Sequence, residues 1–110
     1  MSPPGRAGDN GGMTELDPAS VIEAVARDPQ LRAFVRGGQI AVMPARQAKR
    51  RMLLNQVARA FEPGVRYSER TVSLFLARLY PDHAALRRHL VEEGFLDRKS
   101  GEYWRPGGAA

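Results

Sequence analysis

The sequence contains no cysteine, and its only two histidines, His83 and His89, are six residues apart. Without cysteine there is neither a disulfide framework nor a thiolate metal site. Metal-binding histidine pairs on a helix favour a spacing of three or four residues, which these two do not have. The sequence also lacks a phosphate-binding glycine loop and a nucleophile elbow. We therefore expect no metal, no cofactor and no enzymatic activity.

Long apolar runs are also missing, and the N-terminus has no hydrophobic signal core. A bilayer-spanning helix needs about 20 consecutive apolar residues. We therefore expect a cytoplasmic protein without a membrane partner. The first residues are rich in glycine and proline and contain almost nothing apolar, so they cannot offset the entropy of ordering. We predict disordered tails at 1–13 and 107–110.

The charge is unevenly distributed along the chain. Residues 1–45 contain four basic and five acidic side chains, whereas residues 46–110 contain thirteen basic and seven acidic ones. A basic surplus favours phosphate-rich partners, because binding them releases counterions. The same surplus could instead serve only solubility, and composition leaves both interpretations open.

Two proline-containing caps open the structured part of the chain. Asp17-Pro18 and Asp28-Pro29 each place an acidic cap before a proline at the first helical position. Apolar residues at helical spacing follow both caps, and Gly37-Gly38 reads as a helix stop. We predict helices at 18–27 and 29–36.

Residues 14–44 then form an N-terminal helical extension, which ends in a short strand or arm before Pro44. The following segment, 45–106, contains the best-defined pattern. It predicts a long helix at 45–61, a short β piece, a helix capped by Ser68, a helix at 82–93 and a hairpin with its tip at 98–101. We therefore predict a mainly α fold with a small β-hairpin. It would be a winged helix-turn-helix preceded by two short N-terminal helices.

The segment from Ile40 to Arg105 resembles a bacterial domain-of-unknown-function family. That family also occurs fused to arsenic-repressor-type transcription regulators, so the resemblance implies a winged-helix-like fold and a link to transcription regulation. This sequence departs from the family pattern at Ser73, where asparagine is usual. The motifs that carry the resemblance are Phe61-Glu62-Pro63-Gly64-Val65-Arg66-Tyr67-Ser68-Glu69, Asp82 with Leu86-Arg87-Arg88-His89-Leu90-Val91, and Tyr103-Trp104-Arg105.

Our first functional hypothesis is a DNA-binding transcription regulator with helix 82–93 in the major groove. Arginine reads guanine edges bidentately, which makes Arg87 and Arg88 candidate base contacts. Helical spacing points Arg88 outward and Arg87 towards the edge of the buried side, where an acid such as Glu69 or Asp97 would hold it. The hairpin tip at 98–101 would be the wing, where Arg98 and Lys99 would contact the DNA backbone.

A second basic group opens the helix at 45–61. Arg46, Lys49, Arg50 and Arg51 lie at a helix N-terminus, where acidic side chains are preferred. A locally unfavourable choice can mark a functional site, and here it would be a contact to a flanking phosphate. A solvated basic face explains the same residues equally well.

An alternative function is a non-enzymatic protein-interaction or dimerisation module on the same winged-helix fold. The N-terminal helices would then provide the interface to a second copy or to a regulator protein. Its apolar residues would be Val21, Ile22, Val25, Leu31, Phe34 and Val35. A small-ligand pocket between these helices and the core is a further, weaker hypothesis.

Overall fold

A computed structural model describes residues 16–106 of the chain. The tails predicted at 1–13 and 107–110 lie outside the described residues. Within residues 16–106 the fold is mainly helical, with two small antiparallel sheets. None of the helices there has the length and apolar character needed to cross a membrane.

The first helix, α1 (Pro18–Arg27), has the bounds that its cap predicts. The Asp17 side chain accepts hydrogen bonds from the backbone N–H groups of Ala19 and Ser20 at 3.1 and 3.4 Å. It thereby satisfies two of the donors that a helix start leaves unpaired. The apolar positions Val21 and Val25 are buried, so the predicted helical stripe is also the packed one.

The predicted helix at 29–36 is wrong. The chain instead forms a turn and a short 3₁₀ helix (Arg32–Phe34), followed by the strands β1 (Val35–Arg36) and β2 (Gln39–Ile40). Gly37 and Gly38 have φ values of 61° and 77° and form the two-residue loop of this hairpin. Two consecutive positive φ angles are typical of a type I′ hairpin turn, whose twist matches that of the strands. The glycine pair therefore reverses the chain rather than capping a helix.

Three helices, one short strand and a terminal hairpin complete the fold. The elements are α2 (Gln47–Ala58), β3 (Tyr67–Ser68), α3 (Glu69–Leu79), α4 (His83–Glu92), β4 (Asp97–Lys99) and β5 (Glu102–Trp104). The last three strands form an antiparallel sheet in the order β3-β5-β4. In its register, Tyr103 lies opposite Tyr67 on one side and Arg98 on the other.

Local caps determine where α3 and α4 begin and where α4 ends. The Ser68 hydroxyl accepts from the N–H of Thr71, and the Asp82 carboxylate accepts from the N–H of Ala85, both at 3.1 Å. Gly94 follows α4 with a φ of 83°, a left-handed conformation that costs glycine little. These contacts confirm the predicted caps and fix α4 between its neighbours.

One hydrophobic core joins the N-terminal region to the rest of the described chain. Val25, Leu31 and Ile40 are fully buried and belong to the same cluster as the core residues of α2, α3 and α4. Within this core, the ring of Phe61 packs edge-on against the rings of Tyr67 and Phe75, with distances between ring centroids of 5.2 and 5.5 Å. Because the N-terminal helix shares this core, it docks on its own domain and supports α3 and α2.

Candidate functional site

Three of the predicted site arginines converge on one cleft. The cleft lies between α4 and the β4–β5 hairpin, has a volume of about 400 Å³, and contains a single acid. We call it the arginine cleft; it is lined by Ala84, Arg87, Arg88, Val91, Glu92, Arg98 and Tyr103. Four of these residues, at 84, 87, 88 and 91, follow the i, i+3, i+4, i+7 spacing of one helical face. The outer face of α4 therefore forms one wall of the cleft.

Arg87 is anchored from the neighbouring helix. Its Nη1 donates a hydrogen bond of 2.7 Å to the Ser73 hydroxyl of α3, and the side chain is partly buried. The predicted partial burial is confirmed, but the predicted acidic partner is wrong: neither Glu69 nor Asp97 forms an ion pair with Arg87 in the described chain.

The other two arginines of the cleft are exposed, as is the neighbouring lysine. Arg88 projects from α4, while Arg98 and Lys99 belong to β4. The Arg98 guanidinium carbon lies 5.7 Å from the ring centroid of Tyr103, a cation–π distance. Because Tyr103 is only 1% exposed, its ring is a fixed surface beside which the arginine is held. The cleft thus combines one anchored guanidinium with two that face solvent.

The second basic group, at the start of α2, is engaged in contacts within the domain. Arg50 Nε lies 2.7 Å from Glu93 Oε2, and Arg51 Nη1 lies 3.4 Å from Glu93 Oε1. Arg51 also places its guanidinium carbon 4.8 Å from the centroid of the Phe95 ring. Glu93 follows the last residue of α4, so the two arginines join the start of α2 to the end of α4.

The hydrogen bond from Arg50 lowers the pKa of Glu93 below its ordinary value of 4.5, and the charges of Arg50, Arg51 and His89 lower it further. Desolvation of the carboxyl opposes this shift. His89 contributes through its Nδ1, which lies 3.8 Å from Glu93 Oε2. Glu93 is therefore an ionised carboxylate that organises three cationic or potentially cationic side chains.

The two basic groups contact roughly opposite faces of α4. At 3.6 residues per turn, positions 89 and 93 point about 170° away from the stripe at 84, 87, 88 and 91. Arg50 and Arg51 contact Glu93, on the face that carries positions 89 and 93. The arginine cleft lies on the opposite face, which carries positions 84, 87, 88 and 91. A single ligand seated in the cleft would therefore not contact Arg50 or Arg51.

The remaining two predicted contacts differ in their environment. Arg46 is the exposed N-cap of α2, and its side chain forms no capping hydrogen bond. The Lys49 Nζ donates to the backbone oxygen of Gln30 at 3.3 Å, which links α2 to the turn after α1. A nucleic-acid role for Arg46, Lys49, Arg50 and Arg51 stays a prediction, whereas a structural role is evident for the last three.

Sequence reasoning missed a fourth organising arginine. The guanidinium carbon of Arg66 lies 3.9 Å from the centroid of the Trp104 ring, and its Nη1 lies 3.7 Å from Glu102 Oε1. Its partners belong to β5, more than thirty residues later in the chain. A local sequence pattern does not predict this pairing, because it depends on β3 aligning with β5 in the sheet. Across residues 16–106, no group of three or more His, Asp or Glu side chains is placed to hold a metal ion.

The fold and the cleft together define a small, mainly helical domain with a basic groove beside a β-hairpin. Residues 39–105 match the model of a family described as an uncharacterized protein conserved in bacteria, DUF2087. This match spans more than half of the chain, and the chain therefore belongs to that family. Its limits agree with the resemblance seen from Ile40 to Arg105. No match was found among curated proteins or among solved structures.

Proposed function

We propose that the segment from α2 to β5 is a winged helix-turn-helix and that it binds double-stranded DNA as a non-enzymatic transcription regulator. The element order supports this assignment: helix, strand, helix, helix, strand, strand, with the first strand joined to the terminal hairpin in one sheet. In such a domain, α4 is the recognition helix and the β4–β5 turn is the wing. The link to arsenic-repressor-type regulators stays a prediction.

The observation that carries the proposal is the convergence of Arg87, Arg88 and Arg98 on one cleft. In the proposed complex, α4 enters the major groove with Arg88 towards the base edges, and Arg98 and Lys99 contact the sugar-phosphate backbone. Arginine suits both tasks, because its planar fork matches guanine edges and phosphate oxygens alike. Glu92 in the same cleft opposes phosphate, so the contacts would concentrate towards the start of α4.

Arg87 fits a positioning role better than a base-reading role. The Ser73 hydroxyl engages Nη1, while a guanidinium has five N–H donors. The remaining N–H donors of Arg87 would contact a phosphate while Nη1 keeps its hydrogen bond to Ser73 of α3. This arrangement would orient the guanidinium before DNA arrives and would reduce the entropy lost on binding.

Charge reversal at three exposed residues tests the proposal. We expect Arg88→Glu, Arg98→Glu and Lys99→Glu, combined in one variant, to weaken binding to a labelled duplex by at least about tenfold at low salt. The slope of log affinity against log salt should fall by about two to three, since each lost phosphate contact contributes about 0.9. Fluorescence anisotropy across a salt series measures both quantities.

A matched control variant distinguishes binding at the arginine cleft from a general attraction of DNA to the net positive charge. Arg32→Glu, Arg36→Glu and Arg59→Glu also change three exposed arginines, and these lie away from the arginine cleft. The proposal requires the cleft variant to lose much more affinity than this control. If both variants lose affinity equally, the attraction comes from total charge and the docking arrangement is wrong.

The alternative function, a protein-interaction or dimerisation module, would need a surface other than the one first suggested. Val21, Val25 and Leu31 are buried in the core of this domain at 4%, 0% and 0% exposure. An interface made by them would require α1 and the turn that follows it to leave that core. A homodimer through the N-terminal helices is therefore disfavoured as a proposal, although another surface offers a protein partner a place to bind.

A further inference from the structure

A second open groove lies where the start of α1, strand β3 and helix α3 meet. Its volume is about 520 Å³, which is within the range of ligand-binding clefts. We call it the α3 groove; its walls include Pro18, Val65, Leu74, Phe75, Arg66 and Arg78. No residue of the α3 groove lines the arginine cleft. The two sites therefore have separate linings.

Leu74 is the apolar centre of the α3 groove and is 60% exposed. Only Val42, at 59%, is a comparably exposed large apolar residue in the described chain. Most other apolar residues on α3 face the core, so leaving this leucine in water gains no packing energy within the domain. An exposed apolar side chain inside a groove is typical of a binding site for another apolar group.

The charge of the groove is of one sign. Among residues 16–106, Arg66 and Arg78 are its charged lining residues, and no carboxylate of that range lines it. Arg78 has no ion-pair partner among residues 16–106, and the pairing of Arg66 with Glu102 involves two side chains that are each about half exposed. Such an exposed pair is weak and can yield to a competing carboxylate. Arg70 extends the same exposed stripe of α3, at positions 70, 74 and 78.

The backbone beside the groove also includes an edge strand, whose outer N–H and C=O groups can pair with another chain. Strand β3 is at the edge of its sheet, and the described residues pair it with β5 on one side only. An extended peptide can align along such an edge while its side chains enter a neighbouring pocket. The groove is lined by residues 65–68, which include this strand.

We propose that the α3 groove binds a short acidic segment of a partner protein that carries large apolar side chains. An apolar side chain packs on the exposed Leu74, and flanking carboxylates pair with Arg66 and Arg78. A polynucleotide fits less well, because the aromatic rings here, Tyr67 and Phe75, are only 6% and 5% exposed. They leave no open aromatic face on which a base could stack. This interaction goes beyond the proposed DNA binding.

The test titrates the full chain into a fluorescein-labelled peptide of twelve residues, rich in aspartate and glutamate and containing one phenylalanine and one leucine. We expect binding at low salt that weakens as salt is added. Replacing the acids of the peptide by lysine, or its two apolar residues by serine, should each abolish measurable binding. Both peptide features are required because the groove combines charge with an apolar floor.

Protein variants locate the binding surface. Leu74→Ser and Arg78→Ser should each weaken peptide binding by about five- to tenfold, the range expected for central interface residues. Their matched controls are Val42→Ser, which removes an equally exposed apolar residue, and Arg32→Ser, which removes an exposed arginine elsewhere. Both controls should stay within twofold of the wild type. Circular dichroism checks that each variant is folded.

Three results would overturn the proposal. The first is no binding of the acidic peptide at millimolar protein concentration in low salt. The second is an equal loss of affinity in the Leu74 and Val42 variants. The third is that Leu74→Ser and Arg78→Ser weaken duplex DNA binding while leaving the peptide unaffected, which would make this face part of a nucleic-acid surface. Failure of the arginine-cleft variant to affect DNA binding would not bear on these results.

Discussion

The Glu93 carboxylate should be worth more to the stability of this domain than any other single acid described above. It accepts from Arg50 at 2.7 Å and lies 3.4 Å from Arg51, and its side chain is only 12% exposed. Glu93→Gln keeps the shape of the side chain but removes its charge. The contact between the start of α2 and the end of α4 then loses its ionic character.

The expected size of the effect follows from this geometry. Hydrogen bonds to charged groups contribute about 1.5–3 kcal/mol to stability. Because Arg50 is 21% and Arg51 49% exposed, solvent screens part of the interaction. We therefore expect Glu93→Gln to lower the free energy of unfolding by about 2 kcal/mol at pH 7. For a domain of this size, that corresponds to a fall in Tm of roughly 8–16 °C.

The pH dependence provides an independent check on the sign. The pKa of Glu93 is lower in the folded protein than its ordinary value of 4.5, chiefly because Arg50 donates a hydrogen bond to it. A carboxyl of this kind stabilises the fold above pH 4.5, and the contribution is lost as the pH falls through the folded pKa. The difference between wild type and Glu93→Gln should therefore be constant near neutrality and shrink at acidic pH.

Urea unfolding followed by the fluorescence of Trp104, the single tryptophan, measures both quantities. Glu92→Gln is the matched control: it removes one carboxylate from the neighbouring exposed position, where a change should stay within about 0.5 kcal/mol. Equal stability of wild type and Glu93→Gln at pH 7 would refute the reasoning. So would a difference that persists unchanged when the pH is lowered well below 4.5.

Substitutions at three further positions test local interactions by the same unfolding assay. Ser73→Ala should cost about 1 kcal/mol because Arg87 loses its acceptor, whereas Ser73→Asn, which keeps an acceptor, should lose less; equal losses would contradict this. Asp82→Ala should cost about 1 kcal/mol through loss of the α4 cap, and no change would mean that the cap contributes nothing. Gly94→Ala should cost about 1–2 kcal/mol because alanine is strained at a φ of 83°, and unchanged stability would contradict this reasoning.

The parts of the fold that the sequence predicts best are those set by local chemistry. Asp17, Ser68 and Asp82 each cap a helix through a hydrogen bond to a backbone N–H within three residues, so a short pattern contains the whole signal. Gly94 at the end of α4 is also a local signal, because its left-handed backbone conformation suits glycine. The predicted helix at 29–36 failed because Gly37-Gly38 is compatible with two structures, and only the pairing of Val35 with Ile40 decides between them.

The candidate site shows where such prediction ends. The outward direction of Arg88 follows from helical spacing, and its position is as predicted. The partners of Arg50 and Arg87 do not follow, since Glu93 lies 43 residues from Arg50 and Ser73 lies 14 residues from Arg87. Those pairs depend on how helices pack together. The α3 groove likewise joins the start of α1 to β3 and α3, which lie much later in the sequence.

The central claim is that the arginine cleft binds duplex DNA, and one measurement tests it most directly. Anisotropy of a labelled non-specific duplex should show binding by the wild type that falls steeply with salt, and strong loss in the Arg88, Arg98 and Lys99 triple variant. The Arg32, Arg36 and Arg59 control should retain most of the affinity. Absence of wild-type binding even at low salt, or equal losses in both variants, would contradict the claim.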